Sequence, residues 1–439
     1  MIQHLHAPSS HSVCGAMHPA SLLDLPSELL YKIIDLLEQR DLQMLSSASI
    51  RELRPFIGPL LYDTIEIRLF KDSIQFMHNK NGFTPKKYQL RYVQSITLTT
   101  AQPYYPNGKT GPTKQWGLGL TTLFGRASSE PLKDLKHVVS SLDNVTSVRW
   151  AIPAQREVYR AEQSIPSGIR LDFNSILLIV ASLPSLHTFT LDVSNSSIHL
   201  RKNVTRFGLE HLHSLKSLSF TGFPGKNLWA SSIEPFILVI RNSPALEDLS
   251  LDFVGCYHNE HSGSFSLEKL LQGFPTTQPL KLRKLSLRTP VWNLQISEAS
   301  GIHLKNLTTL ELRFPSSPSF QSPPSTTLGE GLWSVLGHHG TRLKHLYAPV
   351  TPELVDYLQT YSGVEYLRLY GAADDVLAHR FHGHALRLHV ASLNVLNTSL
   401  VTSPNGGWAF AARNAQVFAK CLGLRELWVS IHGKGQSIL

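Results

Sequence analysis

Cys256, His258 and His261 set three potential metal ligands within the six-residue stretch Cys256-Tyr-His258-Asn-Glu-His261. A thiolate with two imidazoles is a zinc donor set, but zinc also needs a fourth ligand or an open position, and a fixed turn. Gly255 and Ser262-Gly263 flank the stretch with the residues of a mobile loop, so it is read as a loop and not as a metal centre. His4, His6, His11 and His18 form a second His-rich segment, read as a disordered tail. Gly108-Lys-Thr-Gly111 and Gly222-Phe-Pro-Gly225-Lys226 carry the residue types of a phosphate loop at the wrong spacing. Neither a nucleophile elbow nor a His-Glu-x-x-His helix occurs in the sequence. The expectation is a non-catalytic chain with no catalytic residue, no metal and no cofactor.

The elements around these residues carry a different signal. Leu25-Pro26-Ser27-Glu28-Leu29-Leu30 leads into Ile33-Ile34-Asp35-Leu36-Leu37, then Asp41-Leu42-Gln43-Met44-Leu45-Ser46, and finally Pro59-Leu60-Leu61-Tyr62. Leu29, Ile33 and Leu37 recur at helical spacing, and Leu30, Ile34 and Leu36 widen the stripe beyond one core-facing edge. Pro26 stands at the helix entrance, with Ser27 or Asp24 expected to cap it. A second short helix is expected with Leu42 and Leu45, and a third marked by Leu53, Phe56 and Leu60. Three short amphipathic helices with this much apolar surface are either a module built to dock or a small subdomain packed on the rest of the chain, and the spacing alone leaves both open.

In the order of its residues the segment 22–62 resembles the F-box: a Leu-Pro-x-Glu opening before two aliphatic residues, then an Asp-Leu-x-x-Leu-Ser second helix. Arg54-Pro55 through Ile65 is similar to fungal members of that family, while Ala48-Ser49-Ile50 departs from its usual Val, Ser or Cys, basic run. The resemblance implies binding to the Skp-type adaptor of a cullin–RING ubiquitin ligase. By position, Leu25, Pro26, Leu29, Ile33, Leu36, Leu37, Leu42 and Leu45 would contact the adaptor or support the contact.

The 439 residues leave room for much more than this module, and 42% hydrophobic against 17% charged content describes a folded chain. The net charge of +9 is spread thinly, without a run of five or more basic residues, which argues against a nucleic-acid partner. Three cysteines far apart in sequence exclude a dense disulfide framework and fit a reducing compartment. Residues 1–21 show no apolar signal segment, and the longest apolar run, Ile176–Ala181, is too short to span a bilayer. A cytoplasmic or nuclear location, without membrane attachment, is expected.

From residue 90 onward one phrase recurs, Leu-x-x-Leu-x-Leu with aliphatic or aromatic substitutions. It reads Val93-Gln-Ser-Ile96-Thr-Leu98, and further copies begin at Val145, Leu186, Leu215, Leu246, Leu282, Leu307, Val364 and Leu424, with weaker ones at Leu343 and Leu393. Helix-like stretches such as 175–183, 232–241, 353–361 and 409–421 lie between them. A strand and a helix per repeat stack into a solenoid. The chain is therefore similar to F-box proteins with irregular leucine-rich repeats, although the usual asparagine after the strand is largely missing. The expected fold class is α/β: a disordered tail (1–21), a three-helix F-box (22–62) and a curved repeat domain (63–439) with a parallel sheet on its concave face. Loop insertions are expected near 99–131, 152–172 and 314–331.

Strand alternation points the residues between the leucines outward. That face would carry Arg149, Asp192, Asp248, Asp252, Lys284, Arg288, Glu311, Arg313, Tyr366, Arg368, Tyr370, Glu426 and Trp428. Arg313, Tyr366, Arg368, Tyr370 and Trp428, of types enriched at binding hot spots, are the candidate substrate-binding residues. The resemblance implies a substrate-recognition subunit that holds an unknown protein substrate beside cullin and RING subunits. The alternative is a repeat scaffold or binding protein that serves no ligase.

Overall fold

A computed structural model describes residues 25–47, 53–69, 74–78, 87–100, 131–151, 173–193, 208–222, 233–253, 265–288, 292–313, 330–403 and 406–431. The Cys256–His261 stretch, the His-rich tail and most of the three expected insertions lie outside them. The chain divides into two compact units, 1–63 and 64–439.

The first unit holds α1 (Ser27–Asp35), α2 (Gln39–Ser47) and α3 (Arg54–Tyr62). Each helix is too short to be stable alone, so a shared core must hold them. Leu30, Ile34, Leu42, Leu53, Ile57 and Leu61 supply it. Two expectations need correction. Pro26 itself takes the cap position of α1 with extended φ and ψ and no side-chain cap bond, so Ser27 falls inside the helix. In α3 the core residues are Leu53, Ile57 and Leu61; Phe56 is only partly buried and Leu60 is exposed, one position off the expected stripe.

The second unit is a sheet built largely in chain order. Its strands are β1 (Thr64–Leu69), β2 (Ile74–His78), β3 (Ser95–Thr100), β4 (Ser147–Ala151), β5 (Thr188–Asp192), β6 (Ser217–Thr221) and β7 (Asp248–Asp252). The short β8 (Phe265–Ser266) pairs with β10 (Trp292–Asn293), and β9 (Lys284–Arg288) returns to the main sheet. Then come β11 (Thr309–Arg313), β12 (His345–Pro349), β13 (Tyr366–Ala372), β14 (Val395–Thr402) and β15 (Glu426–Trp428). The main sheet has the order β15-β14-β13-β12-β11-β9-β7-β6-β5-β4-β3-β1-β2 and is not closed into a barrel. Twelve strands are parallel and only β2 is antiparallel. All copies of the recurrent phrase lie on strands, and the sheet starts before the first copy, at Thr64.

From β3 to β15 the order of the main sheet never reverses, and that decides where the helices sit. Parallel crossovers are right-handed, so a sheet that always advances in one direction keeps its helices on one face. Ile96, Leu98, Val148, Trp150, Phe189, Leu191, Leu218, Phe220, Leu249 and Leu251 all point into that covered face. There they join residues of the helices 131–139, 173–181, 233–241 and 330–338 in one continuous core. The last helix begins at Glu330, slightly before the expected end of its insertion. The opposite sheet face has no such layer among the described residues.

A backbone relay links the turns that precede the strands. The Thr146 N–H donates to Gln94 O (2.8 Å), His187 to Thr146 (2.9 Å), Lys216 to His187 (2.7 Å) and Glu247 to Lys216 (2.8 Å). The relay continues through Arg283, Thr308, Lys344, Glu365 and Asn394 to Arg425. Each turn before a strand thus satisfies the carbonyl of the turn before it.

Two of the buried histidines in this core accept a backbone N–H. His389 Nδ1 accepts from the Val364 N–H (3.3 Å) and Nε2–H donates to Leu358 O (3.0 Å), which fixes a neutral ring. His303 Nδ1 accepts from the Leu280 N–H (3.3 Å). Burial pushes both pKa values below the usual histidine range. The unfolded chain therefore binds more protons below about pH 6.5, so stability is full above that pH and falls as pH drops through it. Melting temperatures recorded across this range should show the decline, and a His303→Gln/His389→Gln variant should show a flatter profile. A wild-type profile level down to the carboxylate range would contradict the assignment.

Candidate functional site

In the first unit, α1 separates its apolar residues onto two sides. Leu30 and Ile34 are buried, while Leu29 (45%), Ile33 (37%) and Leu36 (85%) remain exposed at i, i+4 and i+7. Tyr31, half exposed, packs edge-on against Phe56 with ring centroids 5.0 Å apart. Met44 and Leu60 add exposed apolar surface from the other two helices. Of the residues named for adaptor binding, Pro26, Leu29, Ile33 and Leu36 are exposed; Leu25, Leu37 and Leu45 are partly buried against the core. Leu42 is inside that core, so it can only support the helices and cannot touch a partner. Tyr31, Met44 and Leu60 were not among the residues named for adaptor binding.

In the second unit the pairing register lays the outward side chains in rows across the uncovered face. One row reads Glu66, Thr97, Arg149, Thr190, Ser219, Ser250, Ser286, Glu311, Tyr347, Arg368, Asn397 and Trp428. Small hydroxyls fill its middle; charge and aromatic rings fill its later part. There the face sinks into an open depression of about 650 Å³ running from Asp252 and Arg288 to Tyr366 and Arg368.

Its charges are arranged in pairs. Arg288 Nη1 donates to Asp252 Oδ1 at 3.0 Å. Glu311 takes both Arg313, in a short hydrogen bond, and Lys284 Nζ at 3.5 Å, and it also accepts from Ser286 Oγ at 3.3 Å. Burial alone would raise the Glu311 pKa, but Arg313 and Lys284 outweigh it and hold the carboxyl below its usual range. Arg368 has its guanidinium over the Tyr347 ring, 4.9 Å from the centroid, and among the described residues its buried Nε has no hydrogen-bond partner.

Arg313, Tyr366 and Arg368 thus line one depression, as do Lys284 and Glu311. Trp428 does not join them: it is 57% exposed on β15, two strands beyond β13, with its Nε1–H directed to Glu426 at 3.4 Å. Tyr370 corrects the expectation of an exposed contact, because it is 8% exposed. Its ring meets Tyr347 edge-on at 5.1 Å, and its hydroxyl donates to Leu312 O at 2.5 Å. The cause is Pro349. His345 N–H donates to Thr308 O, and a parallel ladder advances by two residues, so residue 349 should donate to Leu312 O. Proline has no N–H, and Tyr370 reaches over the end of β12 to supply the missing donor. Tyr370→Phe should therefore destabilise the unit by about 1–3 kcal/mol, the cost of an orphaned buried carbonyl, in a denaturant titration. An unchanged midpoint would show that the hydroxyl is not needed.

His345 and Tyr347 were missed in sequence because β12 ends Ala348-Pro349 where the phrase calls for a leucine. The register of its neighbours, β11 and β13, was the available signal.

Compared with known proteins, the chain matches no protein-family model, and no curated protein matches its sequence significantly. Among the described residues no helix is long and apolar enough to cross a membrane, and no group of three or more His, Cys, Asp or Glu is placed to hold a metal ion.

Proposed function

We propose that this chain is the substrate-recognition subunit of a Skp–cullin–F-box ubiquitin ligase. Its first unit would be an F-box, and its second a curved leucine-rich-repeat domain with the parallel sheet on the concave side. The observation that carries the reading is the apolar face of Leu29, Ile33 and Leu36, which follows the Leu25-Pro26 opening on a three-helix unit with its own core. A small unit that has satisfied its core and still exposes a contiguous apolar stripe is built to bind another protein. The adaptor would cover that stripe and connect the chain to cullin and RING subunits in the cytoplasm or nucleus.

The uncovered sheet face supports the second half of the reading. From β3 onward the sheet advances in one direction, so this part has no point where its order reverses and no crevice of the kind that holds cofactors in doubly wound folds. It offers a broad wall with charged and aromatic residues at one end, suited to a protein substrate. The chain would contribute position, holding a substrate lysine near the conjugating enzyme and raising its effective concentration. Titration of the purified full chain with a Skp-type adaptor tests the reading. A saturable complex of one chain per adaptor is expected; an absence of binding would overturn it.

A further inference from the structure

The depression on the sheet face has more cationic groups than its own carboxylates can neutralise. Lys284, Arg288, Arg313 and Arg368 face only Asp252 and Glu311 there. Asp252 is taken by Arg288, and Glu311 is shared by Lys284 and Arg313. Arg368 has no carboxylate within reach among the described residues. Its only close partner there is the Tyr347 ring, against which the guanidinium rests. A cation withdrawn from water without a counter-ion costs free energy unless a ligand supplies the charge.

We propose that this depression binds an acidic peptide segment, with Arg368 receiving a side-chain carboxylate. The inference rests on reading the uncovered face as the substrate surface. A guanidinium held over an aromatic ring is pre-organised, and its planar fork matches a carboxylate in a two-point contact. Of the four cations only Arg368 lacks a carboxylate partner among the described residues, and one side-chain carboxylate supplies it. The surroundings favour a peptide over a small free acid. Tyr347, Tyr366 and His345 give an aromatic flank, with the His345 and Tyr366 rings 6.2 Å apart. Beside it, Ser219, Ser250 and Ser286 form a row of small side chains over which an extended backbone can pass closely.

The test is an array of short random peptides probed with the full chain, followed by solution affinities for the bound sequences. Bound peptides should be enriched in Asp and Glu. Arg368→Gln, which keeps a stem over Tyr347, should weaken their binding by about tenfold or more, the loss of a charge-assisted contact. Arg149→Gln, on the same face but paired with Asp192 (3.3 Å) on distant strands, should leave it unchanged. Should Arg368→Gln lower the melting temperature, wild-type protein titrated with the same peptides carrying Asn and Gln for Asp and Glu reads the contact from the ligand side. A peptide set without acidic enrichment, or equal affinity for Arg368→Gln, would overturn the proposal. Phosphoserine in place of the acidic residue binding more than about tenfold tighter would overturn the carboxylate assignment. Adaptor binding by the same preparations separates the two readings: peptide binding lost with adaptor binding kept sinks this inference alone, and the reverse sinks the ligase reading alone.

Discussion

Replacing Leu29, Ile33 and Leu36 together by Ser is expected to weaken binding of a Skp-type adaptor by about a hundredfold or more. All three side chains are exposed on one side of α1, so their loss removes apolar area from the contact and leaves the core untouched. Burying one such side chain is worth about 1.5–3 kcal/mol, and about 1.4 kcal/mol is tenfold in affinity. About 1 kcal/mol per residue, two thirds of the lower value, reaches the stated effect. The helical signal in circular dichroism should be unchanged, whereas Leu30→Ala or Ile34→Ala, inside the core, should reduce it. Adaptor affinity equal to wild type in the triple variant would remove the helical face from the account.

Leu249→Ala is expected to destabilise the sheet unit by about 2–5 kcal/mol, whereas Ser250→Ala beside it should stay within about 0.5 kcal/mol. Leu249 is 1% exposed and in register with Leu218 and Leu285 on the neighbouring strands, so truncation leaves a cavity that packed neighbours cannot fill. Ser250 points to the uncovered face. Denaturant midpoints of the two variants give the comparison. Equal midpoints would contradict the assignment of a covered and an uncovered face.

The sheet was legible in sequence because one phrase repeats. A single Leu-x-x-Leu-x-Leu is weak, but in copy after copy the two later leucines fall on a strand facing the same core. The first strand was not legible as such. Ile65, Ile67 and Leu69 alternate with period two, yet they precede the first copy of the phrase and do not carry it. In the helices the difficulty was the opposite. α1 and α3 are apolar on two sides, so periodicity located the helices but could not separate Leu30 and Ile34 from Leu29 and Ile33, or Leu61 from Leu60.

The candidate site was legible in part for similar reasons. Arg313, Tyr366 and Arg368 came together because alternation places them on one face and the register aligns them. Tyr370 obeys the same alternation and is nonetheless buried, because Pro349 on the adjacent strand cannot make its ladder bond. That depends on two residues twenty-one positions apart meeting across strands, which no local pattern records. The pairing of Glu311 with both Lys284 and Arg313 is likewise a matter of register. Among the described residues, it is what leaves Arg368 without a carboxylate.

The central claim is that the first unit connects this chain to a ligase. The full chain, co-expressed with a Skp-type adaptor and a cullin and passed over a sizing column, tests it most directly. The account predicts one peak containing all three proteins in equal amounts, lost in the Leu29, Ile33 and Leu36 triple variant. A chain that elutes apart from the adaptor, or an adaptor complex that excludes the cullin, would contradict it.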